Sequence, residues 1–236
     1  MNQLNKQTTD NTQETSFCVP LAVLMVLLIL AGINRLNPLT TQPVGELQWV
    51  RWREMIALFL LTPLVTASLW DLKNRVHITG FLEQVYLSAL IILAISMGLH
   101  EPTNALSVAA RTLPPDISAT IIFWDNQLSH YTFFIGFSIV SLLLAYGQLR
   151  QPRCSEETPL GLTAITLIGL MIAAIIFRHM AFEPTALDIA VGLFNLSVIS
   201  LLWLRYPVKP ARAPGVFCLT LAYALGFGLA WIKQLF

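Results

Sequence analysis

Charge is scarce in this chain: 11% of its 236 residues are Asp, Glu, Lys or Arg, against about 25% in soluble domains. An ordinary water-facing surface is thereby excluded, and the mean hydropathy of +0.67 points to a bilayer. A net charge of +1, with no basic tract and no Gly-rich phosphate loop, sets nucleic acid aside as a partner. Cysteine is sparse as well. Cys18, Cys154 and Cys218 include no CxxC pair, so neither a disulfide framework nor a thiolate cluster is available. The metal motifs HExxH, HxxxH and HxH are absent, and no lysine lies mid-span in the last apolar run to form a retinal Schiff base.

Apolar length is what the chain does have. A polar tail, residues 1–16, precedes runs at 17–33, 55–70, 81–99, 128–147, 161–178, 187–204 and 215–232. A helix needs roughly 20 apolar residues to cross the hydrocarbon, and none of these runs alternates like a barrel strand. The expected fold is an all-α integral membrane bundle of about seven transmembrane helices, forming one polytopic domain over residues 17–236. The tail lacks a basic n-region and no small-x-small cleavage site follows the first run, which is therefore expected to stay as an uncleaved span. Trp49 and Trp52 suit an interfacial aromatic belt before the second run.

Basic residues set the expected orientation. Lys73, Arg75, Arg150, Arg153, Arg205, Lys209 and Arg212 lie in one set of connections, and only Arg111 and Arg178 in the alternate set. The first set is expected in the cytoplasm, with the N-terminus inside and the C-terminus outside, as in a bacterial-type inner membrane. Arg35, Arg51 and Arg53 run against this count. The cysteines all fall toward the cytoplasmic end.

Under that topology His100, His130 and His179 all fall at the outer ends of the third, fourth and fifth spans, with Asp125 beside them and His77 on the opposite side. Three imidazoles and an open position suit catalytic zinc, which acidifies a bound water for attack on an ester or amide carbonyl. His100, His130 and His179 are the candidate metal ligands. Asp125 and Glu101 are the candidate catalytic carboxylates, orienting an imidazole or relaying a proton. On a continuous α-helix Asp125 points about 140° away from His130, so the fourth helix is expected to begin between them if both bind. Haem held by two axial ligands is the alternative cofactor, and interfacial hydrogen bonding the structural alternative.

The connection from His100 to Gln127 is the longest, divided by Pro114-Pro115, with a short helix expected at 104–113 and an interfacial or folded-back segment at 116–124. Glu101-Pro102-Thr103 is echoed by Glu183-Pro184-Thr185. In each, proline is expected to stop the preceding helix and threonine to cap the next, with Asp188 completing a capping box in the second. Within the spans, Glu83 and Gln84 are expected to stay hydrated at a helix start, and Asn195 to bond across helices. Gly226 and Gly228 are expected to allow close packing, and Phe133, Phe134 and Phe137 to pack beside His130.

Span count and residue types resemble the seven-helix zinc hydrolases of the alkaline ceramidase and adiponectin-receptor type. That family's paired histidines on the last helix have no counterpart, since residues 215–236 contain none, so no residue role carries over. The expected function is a metal-dependent hydrolase or transferase of a lipid or lipid-linked substrate at the outer face. The alternative is a non-catalytic scaffold, sensor or small-solute permease. A permease usually keeps ionisable groups near mid-membrane, and here they are nearly absent.

Overall fold

A computed structural model describes residues 17–76, 78–110, 112–152, 156–182 and 186–235, with the side chains at 18, 47–49, 107–109, 179–182, 186–188 and 234–235 left aside. The tail 1–16, His77, Arg111, Arg153, Cys154 and the 183–185 echo lie outside the described residues, as do the side chains of His179 and Asp188.

The chain opens with α1 (Cys18–Leu36) and turns through a small antiparallel hairpin, β1 (Pro43–Val44) and β2 (Leu47–Arg51). Gly45 takes φ +59° at its tip, a left-handed conformation that favours glycine. Next, α2 (Trp52–Ile56) passes through a π-helical turn, Ala57–Leu61, into α3 (Thr62–Arg75). After α4 (Phe81–Ala110), a second composite helix joins α5 (Pro115–Ile122), a π-helical turn at Phe123–Leu128 and α6 (Ser129–Arg150). The chain ends with α7 (Pro159–Phe182), α8 (Ala186–Arg205) and α9 (Pro214–Leu235).

Six of these helical segments are long and apolar enough to cross a membrane, and α8 is a further apolar helix of 20 residues. Val23, Val26, Ile91, Ile95, Leu167 and Leu201 are exposed around the girth. A soluble monomer rarely shows so much contiguous apolar surface; a bilayer demands it.

Helices approach closely where side chains are missing. A Cβ on Gly136 of α6 would stand 2.8 Å from the Ala89 carbonyl and 2.9 Å from the Leu93 nitrogen of α4. Gly226 of α9 meets Ile176 of α7 in the same way, at 2.7 Å. Gly228, expected to share this role, has nothing within 4 Å; on that helix the packed face takes only one of the two glycines. Buried Tyr86 donates to the Leu69 carbonyl at 2.7 Å and ties α4 to α3.

The basic end is closed by polar contacts. The Phe17 amide donates to Glu157 at 3.0 Å, the Glu157 amide to the Ala211 carbonyl at 2.8 Å, and Lys209 pairs with Glu156 at 3.1 Å. Gln148 accepts from the Val216 amide at 2.9 Å, satisfying one of the orphan donors at the start of α9.

Three expectations for the 100–127 region need correction. Pro102 does not stop a helix: α4 continues to Ala110, with Thr103 and Ala105 buried in its extension. Tertiary burial overrides the local stop signal. Thr103 is consequently mid-helix and donates to the Leu99 carbonyl at 2.6 Å instead of capping. Nor does the fourth helix begin between Asp125 and His130, because it starts at Pro115 and widens into a π-turn. At 36 residues, the Pro115–Arg150 segment is about 54 Å long at 1.5 Å per residue, well beyond a hydrocarbon core of about 30 Å. The end of α4 and α5 pack against each other as a helical hairpin, with the candidate residues beside the π-turn that follows it.

Candidate functional site

The π-turn decides which side chains meet. The Ser129 amide bonds back to the Trp124 carbonyl, five residues earlier. The i→i+5 bond widens the turn beyond the roughly 3.6 residues of an α-helix, which brings Asp125 and His130 toward the same side. The facing residue is His100 of α4. Its Nδ1 lies 3.1 Å from Asp125 Oδ1, and its ring centroid is 5.5 Å from that of His130.

Asp125 is 4% exposed, and a lone carboxylate buried so deeply would be costly. His100 is its nearest compensating partner. The contact lies within ion-pair range yet off the line of a good hydrogen bond, so Nδ1 has no formal acceptor. Thr103 Oγ1 stands 3.3 Å from Asp125 Oδ1, but its single proton is committed to the closer Leu99 carbonyl at 2.6 Å. Below the pair, Ser129 donates to the Asp125 carbonyl and Ser96 donates to the Ser129 carbonyl at 2.6 Å, stitching α4 to α6.

Arg35, in the last turn of α1, completes the cluster. Its Nη2 lies 3.2 Å from His100 Nε2 and 3.4 Å from Glu101 Oε1. A guanidinium only donates, so Nε2 carries the lone pair and the imidazole proton belongs on Nδ1, facing Asp125. Arg35 remains half exposed, held by one long ion pair and one imidazole contact.

Arg35, His100, Glu101 and His130 stand at the mouth of a cavity of about 560 Å³, within the range of small-molecule sites. Arg35, Glu101, His100 and His130 line its polar end; Phe133, Phe134 and Phe137 line the middle. Asn195, Tyr223 and Phe227 lie at the inner end. The Phe227 ring fills the space that a side chain at Gly192 would occupy. Both π-turns among the described residues border this space, the first through Ala57 and Leu61, the second where it hands over to Ser129 and His130. Asn195 is fully buried and donates to Ser138 Oγ at 3.0 Å and Tyr223 OH at 3.3 Å, bonding α8 to α6 and α9.

The fold thus gathers His100, Glu101, Asp125 and His130. His179 lies near the C-terminal end of α7, but its side chain is outside the described residues. Among the described residues no group of three or more His, Cys, Asp or Glu side chains is arranged to hold a metal ion. Arg35 and Thr103 were absent from the sequence reading of the site. Arg35 had left one trace there, as a basic residue on the side where the count expected few. No protein-family model, curated protein or solved structure matches this chain.

Proposed function

We propose that the protein is a seven-span enzyme of a bacterial-type inner membrane, with its N-terminus cytoplasmic and its C-terminus outside. It accepts a lipid or lipid-linked amphiphile and hydrolyses or transfers its polar head. The observation that carries this reading is the cavity itself: apolar along most of its length, with an imidazole backed by a buried carboxylate at one end. An anionic or carbonyl-bearing head would draw the half-exposed Arg35 from His100. Nε2 then takes a proton from water, the water oxygen adds to the carbonyl or phosphoryl centre, and Arg35 stands where negative charge develops. The proton on His100 leaves with the departing group, and Asp125 stabilises the imidazolium between the two transfers.

Purified protein in nanodiscs is expected to turn over a component of its host lipid extract, read by mass spectrometry. His100→Ala and Asp125→Asn should each lower the rate about 100-fold or more, the usual scale of acid–base catalysis. Turnover unaffected by His100→Ala, or a cavity that retains no amphiphile, would overturn the reading.

A zinc site shared by His100, His130 and His179 is the second reading. Two imidazoles on one zinc, with Zn–N of about 2.0–2.1 Å, place their ring centroids about 5 Å apart, and His100 and His130 stand at 5.5 Å. Arg35 would have to swing away from Nε2 to admit the ion. Near-stoichiometric zinc in protein purified without chelators, lost in His100→Ala, is the expected result under this reading; protein free of metal that still turns over lipid would refute it.

A further inference from the structure

At the inner end of the cavity, Asn195 carries an unfilled polar atom. Its Oδ1 is buried without a partner among the described residues, while Nδ2 serves Ser138 and Tyr223. Ser138 lies eight residues after His130 on α6, which puts this group about 12 Å deeper at 1.5 Å per residue. An unsatisfied amide in that setting is costly to leave unmade, and the surrounding Phe137, Ile172, Ile176 and Phe227 offer it nothing.

We infer that Asn195, Ser138 and Tyr223 form a second polar subsite that binds a hydroxyl carried part-way along an otherwise apolar ligand, about 12 Å from the head group. A hydroxyl both donates and accepts, so it completes the amide whichever way the amide is turned. The inference rests on the amphiphile reading of the cavity and adds to it: the ligand is bipolar, with its head at Arg35 and His100, beside His130, and its hydroxyl at Asn195.

Decanoic acid and ω-hydroxydecanoic acid test the subsite, since with carbon–carbon bonds of about 1.5 Å their extended length is comparable to the separation of the two polar ends. An equimolar mixture is offered to the full-length protein in detergent micelles, and the bound ratio is read by native mass spectrometry. Comparing variants cancels the unequal partition of the two acids into micelles. The wild type is expected to favour the hydroxy acid about tenfold more than Asn195→Leu does, the scale of one buried hydrogen bond. Tyr223→Phe, which keeps the ring packed, covers the case in which Asn195→Leu fails to fold and should lower the preference at least threefold. An unchanged ratio in these variants overturns the subsite, as a trapped water at Asn195 would produce, and leaves the amphiphile reading standing. Binding of neither acid overturns the amphiphile reading and the subsite with it.

Discussion

Lys73 is 5% exposed at the basic end of the bundle, and its ammonium is compensated by an ion pair with Glu83, a 3.3 Å contact with Asn74 and the Trp70 ring face 4.6 Å away. Glu83 is therefore more than a hydrated residue at a helix start. Glu83→Gln leaves a buried charge without its partner and is expected to destabilise the protein by about 1–3 kcal/mol, less than a fully buried pair would lose because Glu83 still reaches water. Adding Lys73→Met should recover most of that loss in thermal unfolding. No recovery would mean that Lys73 is stabilised by something other than Glu83. At this scale the sequence was informative where chemistry is local. His100, His130 and Asp125 were legible because imidazoles and carboxylates are rare in apolar runs. Arg35 was not, because its reach to His100 depends on how α1, packed against α3 and α7, brings its last turn beside α4, which no local pattern encodes.

The elements were legible as lengths and less so as ends. Alternation of apolar and basic stretches marked each helix, but Pro102 and Thr103 resembled a boundary and lie within α4, the threonine buried and the proline exposed. The π-turn had no local signature at all. A wide turn of this kind accommodates one extra residue in a helix that must keep its packing on both sides. Deleting Gln127, which is exposed, should let the turn relax to α-helix with α6 still packed on α4 and thermal stability retained. Inserting one alanine after Gln127 should rotate Asp125 by about 100° relative to His130 and abolish turnover in folded protein. Equal effects of the two changes would argue against a register role. Glycine gives a second contrast between faces of helices. Gly136→Ala drives a methyl into the backbone of α4 and should cost about 1–3 kcal/mol, whereas Gly228→Ala enters open space and should cost nothing measurable in the same melting experiment.

The whole molecule has unlike ends. One is closed by ion pairs and capping contacts of Gln148, Glu156, Glu157, Lys209 and Val216; the other carries the hairpin β1–β2, the α4–α5 pair and the open mouth. The proposed orientation puts the closed end in the cytoplasm. A cysteine replacing exposed Glu46 in the hairpin turn should react with a membrane-impermeant maleimide on intact cells, while one replacing Lys209 should react only after lysis. The reverse pattern would invert the topology and move the mouth to the cytoplasmic face. Arg35 and Arg53, two of the three residues that run against the basic-residue count, are engaged by Glu101 and Glu54 at 3.4 and 2.7 Å, which gives each a place in the fold independent of insertion.

Gly192 and Phe227 carry a last consequence. A Cβ at position 192 would fall 1.6 Å from the Phe227 ring, so the ring would have to turn, and the space beside it belongs to the cavity. The missing Cβ at Gly192 thus acts as a ruler for the occupant: Gly192→Ala is expected to shorten the longest acyl chain retained through purification. Selection could then retune the size of the accepted molecule by one codon, far from the imidazoles and without altering their chemistry.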